Sequence, residues 1–250
     1  MVNHDDGNGR DTGIPGVAPV GPLPPTPTGA TTVFGARLPL AEHFARILAD
    51  TGVSHGLIGP REVPILWERH ILNCAVVHEA FPPSAEIVDV GSGAGLPGLA
   101  LAIARPDLVV HLVEPMLRRT TWLEVTIAEL GLDNAVVHRG RAEEFHGHLS
   151  APYATARAVA RIDKLARWTF PLLTEGGVLV ALKGSQAAEE LAAEERALTR
   201  LGMREARLRS YGETILDVPT VTLELTVTAR AAESPRERAG GARGRNRRRP

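Results

Sequence analysis

Asp89, Gly91, Gly93, Gly95 and Gly98 stand close together in the stretch EIVDVGSGAGLPGLAL, residues 86–101. Glycines at this spacing let a turn adopt positive φ and approach a ligand with bare backbone, and the amides that open a following helix attract negative charge. Gly93, Gly95 and Gly98 also fit G-x-G-x-x-G, a pattern that on its own is weak and is shared by dinucleotide sites. A tight turn with an exposed acid at a strand end would read the same way. Two acids sharpen the signal. Asp89 lies two residues before Gly91, and Glu114 ends the next apolar run, VVHLVEP, 23 residues beyond Gly91. A carboxylate at that place can accept both hydroxyls of a ribose, a demand common to NAD and S-adenosylmethionine sites.

The elements that must carry these residues follow from hydrophobic period. Ile87, Val88 and Val90 make a strand that runs into the glycines, and an apolar helix starts near Pro97 and Gly98, where a proline suits the first turn. LVVHLVE (108–114) predicts a second strand, and residues 118–131 predict a helix with Leu123, Ile127 and Leu130 inward and Gly131 as its C-cap. NAVVHRG is a third strand, followed by the acidic segment 141–144. YATARAVA (153–160) is a fourth, leading into a helix through Leu165 and Trp168 to Leu172. GGVLVALKG is a fifth, a long helix begins near Ala187, and REARLRSYG with TVTLELTVTAR predicts a closing antiparallel pair. Alternation of this kind implies a Rossmann-like α/β fold, with helices on both faces of a largely parallel sheet and ligands at the carboxyl ends of its strands.

Upstream, residues 1–32 are rich in Gly, Pro, Thr and Asp and predict disorder, while residues 33–81 carry helical stripes broken at Gly59 and Pro60. The segment GPREVPILWERHILNCAVV predicts a helix bearing Arg61, Trp67, Arg69 and His70. Trp67 at this spacing suits the core or a base-stacking platform, and His70 stays open between the two. Cys74 reads as core.

Composition bounds the rest. The 250 residues are 44% hydrophobic, enough for a substantial core, and hold one cysteine, which leaves no internal disulfide framework. The histidines form no metal-ligand pattern, so no metal is implied, and no apolar run is long enough for a membrane span. An N-terminus without a signal pattern points to a cytoplasmic protein. Net charge is −1 overall, but residues 235–250 carry seven arginines against Glu237. An acidic body with a basic tail at 231–250 suits a polyanionic partner, or simply a solubilising end.

The run V-D-V-G-S-G-A-G resembles motif I of the class I S-adenosylmethionine-dependent methyltransferases. Taken together, GPREVPILWERHILN, VDVGSGAGLPGLALAI, LVEPMLRRTTWLE, GRAEE, ARAVA and LKG resemble the GidB/RsmG family of bacterial 16S rRNA methyltransferases from about Leu40 to Arg230. The resemblance implies a class I methyltransferase domain over 82–230 behind an N-terminal helical extension, acting as a monomer on 16S rRNA or the small ribosomal subunit. The reaction implied is methyl transfer from S-adenosylmethionine to N7 of a guanosine in a loop near the decoding centre. Carried over residue by residue, cofactor contacts fall on Gly91 and Leu96, on the Ala142–Glu143 pair and on Arg157, beside Asp89 and Gly93 of the glycine motif and Glu114 at the end of the second strand. Arg157 can pair with the cofactor carboxylate, hold a substrate phosphate, or make a structural ion pair. Trp122 and Arg118 stand where Phe and Lys are expected. Guanine N7 needs no general base, which suits the lack of an Asn-Pro-Pro-Tyr set after the fourth strand and the distance of Cys74 from every strand end. Rival readings are a small-molecule methyltransferase, a nucleotide-dependent dehydrogenase, and an RNA assembly factor without turnover. If the tail holds RNA electrostatically, truncation after Arg230 lowers RNA affinity and flattens its salt dependence in filter-binding titrations.

Overall fold

The computed structural model describes residues 21–228, in which the strands are β1 (Glu86–Val90), β2 (Val109–Glu114), β3 (Ala135–Arg139), β4 (Ala151–Arg157), β5 (Leu173–Lys183), β6 (Met203–Tyr211) and β7 (Thr220–Val227). They form one sheet in the order β3-β2-β1-β4-β5-β7-β6. β1 to β5 pair in parallel, and β7 lies antiparallel between β5 and β6. The chain builds outward from β1 through β2 to β3 and then returns to the other side of β1 with β4. That reversal leaves a crevice at the carboxyl ends of β1 and β4, where open α/β sheets bind their ligands. The central strands are apolar on both faces, as a covered parallel sheet requires.

The helices are α1 (Thr28–Phe34), α2 (Leu38–Ile47), α3 (Asn73–Ala75), α4 (Gly98–Ala104), α5 (Leu117–Leu130), α6 (Ile162–Thr169) and α7 (Ala187–Arg200). On one face α1, α2, α4 and α5 share a single apolar core with Ile87, Val110 and Leu112 of the sheet. On the other, α6 and α7 pack over Ala154, Ala156, Leu179, Ala181, Leu223 and Leu225. Helices thus cover both faces as expected, though the second face is left thinly covered over β2 and β3. There the second face carries only the short 3-10 turn Ala142–Phe145, and Val109 and Val136 remain 41% and 45% exposed. The link from β3 to β4 is too short to lay a helix across the sheet.

Three further differences concern the N-terminal region. The helix α1 opens inside the stretch expected to be disordered, because Ala30, Val33 and Phe34 bury against the common core. Residues 1–20 and 229–250, including the Arg-rich tail, lie outside the described residues. The helix expected from Gly59 onward changes its winding repeatedly: 3-10 over Pro60–Ile65, π over Trp67–Leu72, α over α3 and 3-10 again over Val76–Ala80. Pro64 lacks the N–H that an α ladder would need within the first piece. This region is built into the sheet domain rather than appended to it. Trp122 Nε1–H donates to Thr51 Oγ1 at 3.0 Å, Thr220 Oγ1–H donates to the Asn73 carbonyl at 2.8 Å, and Trp67 and Cys74 lie in the core. Burial pushes the Cys74 thiol up to about 11, which suits an inert core residue.

Among the described residues no helix is long and apolar enough to cross a membrane, and no three His, Cys, Asp or Glu side chains group so as to hold a metal ion. Gly98, the first residue of α4, has no room for a side chain. A Cβ there would stand 2.2 Å from Leu112 Cδ2 and 2.6 Å from Asp89 Oδ2. Gly98→Ala is therefore expected to lower stability by about 1–3 kcal/mol, as overpacking does, measured by urea denaturation.

Candidate active site

The glycine-rich turn closes onto the end of the neighbouring strand. Gly91 and Ser92 donate their N–H groups to the Val113 carbonyl at 2.8 and 3.3 Å. Gly91 has φ 76°, and a Cβ on it would stand 3.0 Å from both methyls of Val159. Only a glycine gives this turn both its left-handed backbone and its narrow approach to the β4 loop.

The two acids of the motif support that turn differently. Asp89 has no exposed surface, and its Oδ2 accepts the N–H of Gly98 at 3.1 Å while Oδ1 has no protein partner. Burial pushes its carboxyl up to about 7, against the opposing effect of the Gly98 N–H. Glu114 is 2% exposed; its Oε2 accepts from Gly93 N–H at 3.1 Å and its Oε1 from Met116 N–H at 3.0 Å. Arg119 Nη1 stands 3.6 Å from the same Oε2.

Two adjoining cavities open above the crevice. The larger, of about 530 Å³, is lined by Gly91, Ser92, Gly93, Leu96 and Glu114 from the turn and the end of β2, by Met116 and Arg119 from the start of α5, by Arg157 to Val159, and by Glu62 and His70 from the N-terminal region. The smaller, of about 260 Å³, is mostly apolar and is walled by Val90, Val113, Ala142, Glu143 and Trp168. Both touch Gly91, Pro115 and Val159, so the narrow turn is where they meet. Arg157 closes β4, and Ala158 after it takes φ 54°. That left-handed residue turns the chain across the mouth.

Arg157 makes no ion pair among the described residues. Its Nη1–H donates to the Arg69 carbonyl and its Nη2–H to His70 Nδ1, each at 3.1 Å, and His70 Nε2 lies 2.7 Å from Glu62 Oε2. Burial pushes the His70 imidazole below its ordinary value, and the Arg157 charge acts in the same direction, against the hydrogen bond that His70 donates to Glu62.

The family model described as rRNA small subunit methyltransferase G matches residues 37–218. This chain belongs to the GidB family. It is 50% identical over 228 residues to ribosomal RNA small subunit methyltransferase G of Thermobifida fusca, covering 88% of this chain and 96% of the relative. The Salinispora tropica protein of the same name is 47% identical over 240 residues, covering 92% and 99%. Among solved structures, M. jannaschii TYW2 in complex with AdoMet aligns over 64% of this chain and 76% of its own, with TM-score 0.51 and 17% identity. At that identity the likeness concerns the fold alone, which is that of the class I methyltransferases.

In this GidB member the residues singled out by sequence divide into three places. Gly91, Gly93, Leu96, Glu114 and Arg157 line the larger cavity, and Ala142 and Glu143 the smaller. Asp89 lies beneath the turn and reaches neither wall. The Arg61, Trp67, Arg69, His70 set also separates: Trp67 enters the core, the two arginines are exposed and His70 faces the cleft. Sequence reading misses Glu62, Val159 and Trp168 as site residues, and takes Arg119 only for a charge that could meet phosphate. Glu62 and Val159 lie inside the quoted family blocks, but their neighbours in the site, His70 and Gly91, are set by the fold. The buried acid sets a pH dependence. Because Asp89 takes up its proton more readily when folded, the folded chain holds one proton more than the unfolded chain from about pH 4 to about pH 7. Wild-type stability is accordingly expected to fall through that window relative to Asp89→Asn and to run parallel above it, measured by urea denaturation across pH.

Proposed function

We propose that this chain transfers a methyl group from S-adenosylmethionine to N7 of a guanosine in a loop of 16S rRNA near the decoding centre. The observation that carries the reading is the pair of cavities meeting at Gly91, with carboxylates held on one side and the free donors of Arg157 on the other. The residues present fit the cofactor. The space in front of Gly91 is one a Cβ would narrow, the smaller cavity is apolar enough for an adenine, and Glu114 presents a rigid carboxylate to the larger one.

In this reading Glu114 accepts from the ribose hydroxyls, since each of its oxygens keeps a lone pair beyond the backbone bond it already takes. The Ala142 N–H and the Glu143 carboxylate meet the adenine edge, with Trp168 forming the apolar wall. Gly91 brings backbone against the methionine part, and Arg157 pairs with its carboxylate. The bound cofactor supplies an electrophilic methyl on a sulfonium. Guanine N7 carries a lone pair in the neutral base, so none of the chain's acids has to remove a proton. The protein's contribution is alignment of the two reactants in one closed geometry, where orientation lowers the barrier most. Positive charge that develops on the base falls near fixed carbonyls and carboxylates of the cleft.

Several arginines on the carboxyl-end side suit an RNA backbone. Arg61, Arg69, Arg118 and Arg139 are exposed there, whereas Arg161 pairs with Glu194 and Arg119 leans on Glu114. A target guanosine in a loop can be splayed out to reach a buried methyl donor, as sequence-specific RNA recognition commonly requires. Incubation with radiolabelled S-adenosylmethionine and small ribosomal subunits from a strain lacking this protein is expected to place label in 7-methylguanosine of 16S rRNA. Arg157→Ala should reduce kcat/KM at least about tenfold, the scale of a lost hydrogen bond to a charged group. Label in another nucleoside, or none despite cofactor binding, would overturn the reaction.

A further inference from the structure

Arg157 is anchored by groups that a methyl-transfer site has no direct use for. A guanidinium offers five N–H donors and no acceptor. Two of those donors are engaged, one on the Arg69 carbonyl and one on His70 Nδ1. Because the guanidinium can only donate, His70 Nδ1 must be the unprotonated ring nitrogen. A neutral imidazole then carries its proton on Nε2, and Nε2 is the atom that stands 2.7 Å from Glu62 Oε2. One tautomer satisfies both ends, and protonation of Nδ1 would turn an N–H against the Arg157 cation.

The local winding makes this arrangement available. In an α-helix, residues three apart share a face. Over Trp67–Leu72 the π-type turn opens that angle, so Trp67 enters the core while His70 points into the cleft. The His70 side chain is 13% exposed and that of Glu62 35%, so both are held within the protein rather than extended into solvent. Fixing a long arginine side chain before the ligand arrives removes an ordering cost from binding.

We infer that Glu62 and His70 are positioning residues for Arg157, locking the orientation in which its remaining N–H donors face the carboxylate of the methyl donor. The role rests on the S-adenosylmethionine reading given above. Glu62 fixes the His70 tautomer, His70 fixes the guanidinium plane, and neither needs to touch the ligand. The charged groups around the imidazole are Glu62 from the 3-10 turn, Arg69 from the neighbouring position and Arg157 from β4.

The test uses the full chain and two readouts. Calorimetric titration with S-adenosylmethionine should show about tenfold weaker binding for Glu62→Ala and His70→Ala, as expected for a weakened charge-assisted contact. His70→Gln should stay near wild type, because its amide oxygen can accept from Arg157 while its N–H donates to Glu62. Nitrogen-15 spectra of His70, recorded without any ligand, should show the Nε2–H tautomer in wild type and a tautomer mixture in the double variant Glu62→Ala/Arg157→Ala, where neither partner remains. Wild-type affinity should also fall as the pH is lowered below the ordinary imidazole range and His70 takes up a proton, and His70→Gln should lack that step. Equal loss in His70→Ala and His70→Gln, unchanged affinity in His70→Ala, or an Nδ1-protonated ring in wild type would overturn the relay. A wild-type chain that binds no S-adenosylmethionine would sink the cofactor reading, while the ligand-free tautomer still decides whether Glu62 and His70 hold Arg157.

Discussion

A carboxylate without exposed surface holds this site together. Asp89, the next-to-last residue of β1, lies in the protein interior and accepts the first amide of α4 through Gly98, which joins strand, turn and helix at a single point. Leu112 of β2 fills the space where a side chain on Gly98 would stand, so the next strand is registered to the same contact. Burying a carboxylate is costly unless fixed dipoles replace water. One oxygen of Asp89 has the helix amide, while the other lacks a protein partner. Burial pushes its carboxyl toward neutrality, and the single amide of Gly98 offsets that only in part.

Glu114 repeats the device one strand over, with both oxygens taken by backbone amides. Acids that look catalytic in the sequence are thus first of all braces for backbone. The difference between them is position: Glu114 still presents a face to the larger cavity, whereas Asp89 is sealed behind the glycines. Across the cleft, Arg157 supplies the opposite charge from the end of β4. A zwitterionic ligand would find its complementary groups on opposite walls, each oriented beforehand by bonds within the protein.

What was legible in the sequence was whatever a short window determines. The strands and long helices followed from period, Gly131 caps α5 in the left-handed conformation as its place predicts, and the glycine spacing located the turn. Residues that depend on distant partners were not legible. The helix α1 exists because its apolar side meets a core built from residues far ahead of it, and a window rich in Gly, Pro and Thr does not show that. The winding changes between residues 60 and 80 arise from Pro64 and from competing demands of core and cleft on neighbouring side chains. Val159 and Trp168 became part of the site through the crossing of β4 back to β1, which only the assembled sheet displays. Conversely, the spacing of Asp89 from the glycines carries no record of which way its carboxylate points, and the fold turns it away from both cavities.

The bond from Thr220 to the Asn73 carbonyl joins residues 147 positions apart. It ties the last strand of the sheet to the segment that carries His70 into the cleft. As the chain leaves the ribosome during its synthesis, the N-terminal helices emerge first but lack the strands against which they finally rest. Their alignment over the cleft is completed only when β7 inserts between β5 and β6, after the other described strands have been made. Contacts of such long sequence separation make folding late and slow, and a nascent chain that stops short of β7 carries every glycine of the motif without the finished site.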